Sequence, residues 1–196
     1  MRSLLKLTIF SVTLALLAGC GTSPEEARQK LADLNVEYTE ESFAEHAGRG
    51  DMQAVDLFLK AGMDPNHAMP AAFLNNRSQV IQTLEEAGAK TFIPEARPMI
   101  ALIQAVKSRD LEQFKSVFSA EQRREAGFHR QVRAARIAKK IEKEWGEERM
   151  DYRNYEFDYE GGNRKGKLTI IYKGKESEDK QEVVKEKGIW RIDERL

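Results

Sequence analysis

The residue types that most often carry chemistry in proteins are sparse in this chain. It contains one cysteine, Cys20, and three histidines, His46, His67 and His129, which lie far apart in the sequence. We find no carboxylate at metal-ligand spacing around any of the histidines. We therefore expect no metal site, no catalytic residues and no cofactor, and we expect that the protein is not an enzyme.

The first 19 residues follow a three-part pattern. Arg2 and Lys6 form a positively charged start, residues 7–17 are uncharged, and the small residues Ala18 and Gly19 follow. This order is typical of a secretory signal peptide. The uncharged run has 11 residues, whereas a helix that spans a membrane needs about 20. We therefore predict that residues 1–19 direct export and are then removed.

The residues Leu17, Ala18, Gly19 and Cys20 resemble the lipobox of bacterial lipoproteins. The resemblance implies cleavage before Cys20 and attachment of acyl chains to Cys20. Each buried methylene contributes about 0.8 kcal/mol, so several acyl chains hold a protein firmly in a membrane. By the same resemblance, Gly21 favours the outer membrane over the inner membrane. The alternative is an ordinary signal peptide in which the cysteine is incidental.

The net charge of the chain limits the classes of partner that it can attract. The chain has 32 basic and 32 acidic residues, and two of the basic residues lie in the signal peptide. A nearly neutral protein has no global attraction for nucleic acid, so we expect no nucleic-acid partner. Because Cys20 is the only cysteine, no disulfide can form within the chain, and the folded state must depend on packing.

The middle of the sequence contains a repeated helical pattern. Val55, Phe58 and Leu59 recur at helical spacing, and Gly62 and a turn-forming segment follow them. Residues 57–66 resemble the end of an ankyrin repeat, where a leucine-rich helix precedes Gly-Ala-Asp-x-Asn. The resemblance implies stacked helical hairpins, whose surfaces suit the recognition of protein partners.

Two further copies of this pattern follow. Residues 71–90 align with the first copy, and Gly88 matches Gly62 at an offset of 26 residues, shorter than the ankyrin period of 33. Residues 100–118 give a third copy, in which Asp110 aligns with Arg77 at an offset of 33. The alternative is a generic bundle of helical hairpins with a coincidental turn.

The C-terminal region combines helices with strands. We expect helices over residues 98–105, 111–118 and 120–147, the last with an apolar stripe of Phe128, Val132, Ala135, Ala138, Ile141 and Trp145. Alternating apolar residues then predict four strands; they are Tyr155, Phe157, Tyr159, Leu168, Ile170, Tyr172, Val183, Trp190 and Ile192. The predicted fold class is therefore α+β: ankyrin-like helical hairpins, then helices packed on a four-stranded antiparallel meander. We expect the stripe to cover the sheet, with Trp190 near the middle.

The same region resembles the small cone-shaped α+β domains related to nuclear transport factor two. Residues 105–110 match the opening helix of that family, with Arg109 in place of a glycine, and residues 188–193 match its last strand, Gly-x-Trp-x-Ile-Asp. The resemblance implies a pocket for a small ligand or for catalysis. That alternative requires a deep cavity with a buried acid, lined by Tyr155, Phe157, Leu168 and Trp190, whereas a filled core favours protein binding.

One group of basic residues recurs at helical spacing. It is a basic stripe opposite the apolar one, formed by Arg130, Arg133, Arg136, Lys140 and Lys143. A basic amphipathic helix can lie on an anionic membrane surface or bind an acidic partner. The alternative is a solvated face with salt bridges to Glu142, Glu144 and Glu148.

The sequence therefore predicts four segments. Residues 1–19 are the signal peptide, 20–40 the lipidated cysteine, tether and first helix (24–34), 41–96 the repeats, and 97–196 the helix-and-sheet domain. Residues 98–118 fit either of the last two segments. We expect a lipoprotein of the outer membrane, facing the periplasm, that binds an unidentified envelope protein without catalysis. The alternatives are a ligand-binding or enzymatic cone domain and an immunity-like toxin inhibitor.

Overall fold

The computed structural model describes residues 22–176 and 180–193, so Cys20 and the predicted signal peptide lie outside the described residues. The helices are α1 (Pro24–Asp33), α2 (Glu40–Arg49), α3 (Met52–Lys60), α4 (Met69–Leu74), α5 (Ser78–Glu86), α6 (Arg97–Ser108), α7 (Leu111–Ser116), α8 (Ala120–Glu125) and α9 (Gln131–Arg149). Short 3₁₀ helices cover Pro65–His67, Pro94–Ala96 and Tyr152–Asn154. The predicted first helix is confirmed by α1, which Ser23 caps.

The strands follow the helices as one antiparallel sheet. They are β1 (Tyr155–Gly161), β2 (Lys165–Tyr172), β3 (Lys175–Glu176), β4 (Gln181–Glu186) and β5 (Ile189–Ile192). The order across the sheet is β1-β2-β4-β5, and the two-residue β3 pairs with the end of β2. The predicted α+β fold, helices and then a four-stranded antiparallel meander, is confirmed.

The three helical hairpins share one kind of turn. The connections from α2 to α3, α4 to α5 and α6 to α7 each contain one residue with a left-handed backbone, with φ of 87° at Gly50, 53° at Asn76 and 58° at Arg109. The residue after it is the N-cap of the following helix, and Asp51 and Asp110 cap α3 and α7 by accepting hydrogen bonds from backbone N–H groups. Since the turn recurs, residues 97–116 form a third hairpin like the first two.

The two glycines that align in the sequence end equivalent helices. Gly62 and Gly88 follow α3 and α5 with φ of 87° and 95°. The residue after each glycine donates its N–H to the carbonyl of Phe58 (3.1 Å) or of Leu84 (2.8 Å). Phe58 and Leu84 are both fully buried, as the alignment of the two copies predicts.

The helices stack in two layers. In one layer α2 packs on α4 and α4 on α6, and in the other α1 packs on α3 and α3 on α5. Between the layers lies a first core, whose larger members include Leu31, Phe43, Val55, Phe58, Met69 and Leu84. Because the connections are short and alike, successive hairpins lie side by side and bury a continuous apolar surface.

A second core joins the third hairpin to the sheet. Three phenylalanines, Phe114, Phe118 and Phe128, contact one another with ring centroids 5.1–5.7 Å apart. They share this core with Leu168 and Ile192 of the sheet. A backbone bridge at Phe118 also pairs with Ile192, so the chain after α7 lies along the outer side of β5.

The prediction of one helix over residues 120–147 is wrong. Instead, α8 ends at Glu125, Gly127 adopts a φ of 66°, and α9 begins at Gln131. Glycine has little cost in this left-handed conformation and lowers helix stability, so the chain turns there. Phe128 is therefore buried in the connection and does not belong to a helical stripe.

The predicted packing of the long helix on the sheet is also wrong. Ile141 is buried and Ala138 and Trp145 are half-buried, as the predicted stripe requires, but Val132 is 74% exposed. The main neighbours of α9 are α6 and α7, and it is α6 that packs on β5. The reason lies in composition, because α6 is apolar on most of its circumference and α9 is mostly charged. Since β5 is the outermost main strand, Trp190 lies at the side of the sheet and not near its middle.

Candidate binding groove

The sequence-predicted basic stripe lies on the outside of the protein. Its five members, Arg130, Arg133, Arg136, Lys140 and Lys143, are all exposed. Acidic residues accompany it: Lys140 Nζ lies 3.7 Å from Glu144 Oε1, and Glu142 and Glu148 form ion pairs with basic residues elsewhere in the chain. The stripe is therefore a solvated surface of mixed charge.

The histidines do not come together. His46 Nδ1 lies 2.9 Å from Asp51 Oδ2, and His67 Nδ1 lies 3.1 Å from Glu40 Oε2. His129 is exposed. Among residues 22–176 and 180–193, no group of three histidine, cysteine or acidic side chains has the geometry to hold a metal ion.

Aromatic side chains pack closely on the apolar face of the sheet. The Tyr155 ring stacks on Phe157 with centroids 6.1 Å apart, and the Tyr159 ring meets Trp190 edge-on at 5.4 Å. Burial raises the pKa of Tyr155 to about 12, and its hydroxyl donates to the carbonyl of Arg149 over 2.9 Å. These side chains fill the face that the cone-shaped alternative requires as a cavity.

A cavity of about 270 Å³ lies between α4, α6, α7 and β5. Its walls are rich in hydrogen-bonding groups; they are Asn75, Arg97, Gln104, Gln113, Ser116 and Arg191. The helical hairpins supply one side and the last strand supplies the other. This cavity therefore exists only because the repeats and the sheet pack together.

A second cavity, of about 320 Å³, adjoins the first. It shares Arg97, Ile189 and Trp190 with the first cavity, and its other walls are more apolar, with Phe73, Ile81 and Pro94. We call the two together the basic groove, defined by Phe73, Ile81, Arg97, Lys185, Ile189, Trp190 and Arg191. Among the described residues, the charged side chains that line the groove are all basic: Arg97, Lys185 and Arg191.

Arg97 is held in a fixed position by the end of α4. Its Nη1 donates to the Phe73 carbonyl over 3.1 Å and to Asn76 Oδ1 over 3.0 Å, and its Nη2 donates to the Leu74 carbonyl. The negative end of the helix dipole lies at these carbonyls, so a positive charge is favourable there. The three bonds use three of the five guanidinium N–H groups, which leaves two for an occupant of the groove.

Arg97 and Arg191 line the same cavity, and no described carboxylate lines it with them. Burial and the charge of Arg191 lower the pKa of the Arg97 guanidinium below its ordinary value. The pKa of Arg191 is lowered as well, by burial first and then by the charge of Arg123. In the part of the chain that the structure describes, the carboxylate paired with Arg191 is that of Glu186, which lies 3.4 Å from Arg191 Nε and also accepts the N–H of Ala120.

One buried donor on a residue that lines the groove, the indole Nε1–H of Trp190, has no hydrogen-bond partner in the described structure. The Nε–H of Arg191 makes no hydrogen bond either, but it lies 3.4 Å from Glu186 Oε2 in an ion pair. Trp190 is only 4% exposed, and buried polar groups are rarely left without a partner in native proteins. The groove thus offers positive charge and unused donors together.

Sequence reasoning missed this groove. Arg97, Lys185 and Arg191 are isolated in the sequence, and no helical or strand spacing relates Arg97 to the other two. The one usable signal is the last-strand motif over residues 188–193, which contains Trp190 and Arg191. The resemblance that rests on it implies a pocket within the sheet domain and not a groove against the hairpins.

Comparison of the chain with protein-family models gives no match, and comparisons with curated proteins and with solved structures give none either. Within the part of the chain that the structure describes, no helix combines the length and the apolar character needed to cross a membrane.

Proposed function

We propose that the protein is a lipoprotein of the bacterial envelope that binds a protein partner in the basic groove and carries out no catalysis. The observation that carries the proposal is the groove itself, where a basic, hydrogen-bonding cavity adjoins an apolar one. Tryptophan and arginine residues that line a pocket are the side chains that dominate binding energy at protein interfaces.

Exposure within the groove supports the same proposal. Ile189 lines both cavities and is 42% exposed, although it is a large apolar residue. A pocket centred on aromatic and apolar residues, with charged groups around it, matches the usual composition of protein–protein interfaces. The packed aromatic face of the sheet favours this function over the cone-shaped alternative.

The proposed anchor is Cys20, with the acyl chains that the lipobox resemblance implies. The first helix begins at Pro24, so only a few residues separate it from the proposed lipid on Cys20. The body of the protein would then remain close to the membrane, which we propose to be the outer membrane on its periplasmic side. A partner would be an envelope protein.

Photocrosslinking in the native bacterium tests the binding function. A photoreactive amino acid replaces Ile189 in the groove or, as a matched control, Val132, which is 74% exposed on α9. We expect a discrete protein adduct from position 189 and none from position 132. An adduct from position 132 alone would place the binding surface on α9 and would refute the assignment to the groove.

Replacement of the cysteine tests the anchor separately. We expect Cys20→Ser to prevent lipidation and to leave the protein unprocessed or free of the membrane. Metabolic labelling with a fatty acid and fractionation of the envelope measure both effects. Recovery of the variant as an acylated membrane protein would contradict the proposed anchor.

A further inference from the structure

We infer that the basic cavity of the groove binds a carboxylate side chain of the partner, and that the apolar cavity binds a neighbouring apolar side chain of the same segment. This inference rests on the proposed function, because it specifies the chemistry of the protein segment that the groove accepts. Its first support is the charge of the cavity walls.

Arg191 is within electrostatic range of two other guanidinium groups, those of Arg97 and Arg123. Burial is the main reason that the pKa values of Arg97 and Arg191 are lowered, and the charge of Arg191 on Arg97 and of Arg123 on Arg191 adds to it. Arginine remains protonated in proteins, so the repulsion cannot be relieved by loss of a proton. Among residues 22–176 and 180–193, Glu186 is the one carboxylate in an ion pair with Arg191, at 3.4 Å. A bound anion would remove this repulsion, since an opposite charge within a few ångströms stabilises the charged form.

The unused donors point to an acceptor with two oxygens. Trp190 Nε1–H lacks a partner, Arg191 Nε–H has only its ion pair with Glu186, and the bonds to α4 leave two N–H groups of Arg97 unused. A carboxylate accepts several hydrogen bonds and pairs with guanidinium in a two-pronged arrangement. Small rotations of Arg191 and Trp190 would direct their donors at such an occupant.

The second cavity identifies the source of the carboxylate as a protein segment. A free anion such as phosphate would fill the basic cavity and leave the apolar walls of Phe73, Ile81 and Ile189 uncovered. The two cavities share Trp190, so adjacent residues of one segment would reach both. The predicted motif is therefore an aspartate or glutamate next to an apolar residue.

Titration calorimetry on the full lipoprotein in detergent tests this chemistry. The probes are a hexapeptide with blocked ends that contains one aspartate next to one leucine, the same peptide with asparagine for aspartate, and inorganic phosphate. We expect the aspartate peptide to bind about tenfold more tightly than the asparagine peptide, since hydrogen bonds to charged groups are the stronger ones. We also expect that difference to shrink as salt concentration rises, and phosphate to bind more weakly than the aspartate peptide.

Matched variants locate the site. Arg191→Gln should lower affinity for the aspartate peptide about tenfold or more, whereas Arg136→Gln, which removes the same charge from α9, should leave it unchanged. Without peptide, Arg191→Gln should melt close to the wild-type temperature, because the variant loses both a like-charge repulsion and the ion pair with Glu186. If Arg191→Gln does not fold, the expectation about its melting temperature is refuted. The salt dependence of wild-type binding then tests whether the groove recognises the charge of the aspartate.

The outcomes separate the inference from the proposed function. Equal binding of the two peptides, or an equal effect of Arg136→Gln, overturns the inference. So does phosphate binding as tight as that of the aspartate peptide, because it would mean that the groove recognises a free anion. In each case an adduct at position 189 in cells would still support a protein partner. Conversely, charge-dependent peptide binding without any adduct would support the chemistry and refute the proposed cellular function.

Discussion

Two basic surfaces of this protein hold their charges in different ways. The stripe on α9 has five exposed basic residues, and acidic residues of the same helix lie beside them. The groove has three basic side chains, two of which, Arg97 and Arg191, are half-buried and line the same cavity. Exposed charges are screened by water and salt, whereas buried charges interact strongly. Surface exposure alone therefore gives a poor measure of which basic residues recognise a partner.

The comparison also shows why the two surfaces differ in rigidity. A side chain in solvent loses rotamer entropy when it binds, and long basic side chains lose the most. Arg97 has already lost that freedom, because the carbonyls at the end of α4 fix its guanidinium. A preorganised side chain gives more net binding energy than a mobile one. We therefore expect the groove to be specific and the stripe to be at most weakly attractive.

The largest expected difference concerns packing. Trp190→Ala should lower the free energy of unfolding by about 3–5 kcal/mol, since Trp190 is buried against Tyr159 and the second core. Val132→Ala on α9 should change it by about 0.5 kcal/mol or less, because Val132 is exposed. Urea denaturation of both variants measures the difference. Similar small losses would mean that the sheet face is not packed as described.

The second prediction compares the arginines of the two surfaces. Arg97→Met should destabilise the protein by about 2 kcal/mol, because three hydrogen bonds to the end of α4 are lost. The double variant Arg133→Glu with Arg136→Glu should remain within about 1 kcal/mol of wild type, as expected for exposed positions. Thermal melts of both variants provide the measurement. A larger loss in the α9 variant would show that the stripe, and not the groove, has the structural contacts.

Sequence reasoning succeeded where the signal is local. The glycines at positions 62 and 88, the alternation in the strands and the cap of the first helix each depend on neighbouring residues. It failed at residues 120–147, where Gly127 overrides an apparently continuous helical pattern. The same limit applies to the groove, because Arg97 and Arg191 meet only through the packing of α6 on β5.

The third prediction concerns the start of α9. Arg130 occupies the cap position without a side-chain hydrogen bond, and its charge is unfavourable beside the positive end of the helix dipole. Arg130→Asp should therefore stabilise the protein by about 1 kcal/mol, whereas Arg136→Asp in the middle of the helix should not. Melting temperatures test both, and membrane or partner binding should survive the first change. Loss of binding in Arg130→Asp would assign a function to the stripe.

The smallest expected effect is a decrease in the stability of the protein at acidic pH. Arg153 contacts Asp151 at 2.7 Å and Asp64 at 3.3 Å, and so ties the hairpins to the segment before the sheet. Burial alone would raise the pKa of Asp64, but hydrogen bonds from Asn66 and the charges of His67 and Arg153 outweigh it and lower the pKa. The stabilisation is therefore present above the unfolded value of 3.8 and is lost as pH falls through the lower folded value.

Thermal melts of wild type and Asp64→Asn, recorded from neutral pH down to the acidic range, measure the contribution of the ionised Asp64 side chain to stability. The wild-type melting temperature should fall more steeply below about pH 4 than that of the variant. At neutral pH the two should differ by about 1 kcal/mol or less, since both side chains are partly exposed. Parallel curves would show that Asp64 takes no part in the connection between the two cores.

The most direct test of the account combines the crosslinker at position 189 with one charge removed from either surface. Adduct formation in cells is compared between Arg191→Gln, in the groove, and Arg136→Gln, on α9, at equal protein levels. We expect the first variant to lower the yield about tenfold and the second to leave it at the wild-type level. An adduct that persists in Arg191→Gln and disappears in Arg136→Gln would contradict the assignment of partner recognition to the groove.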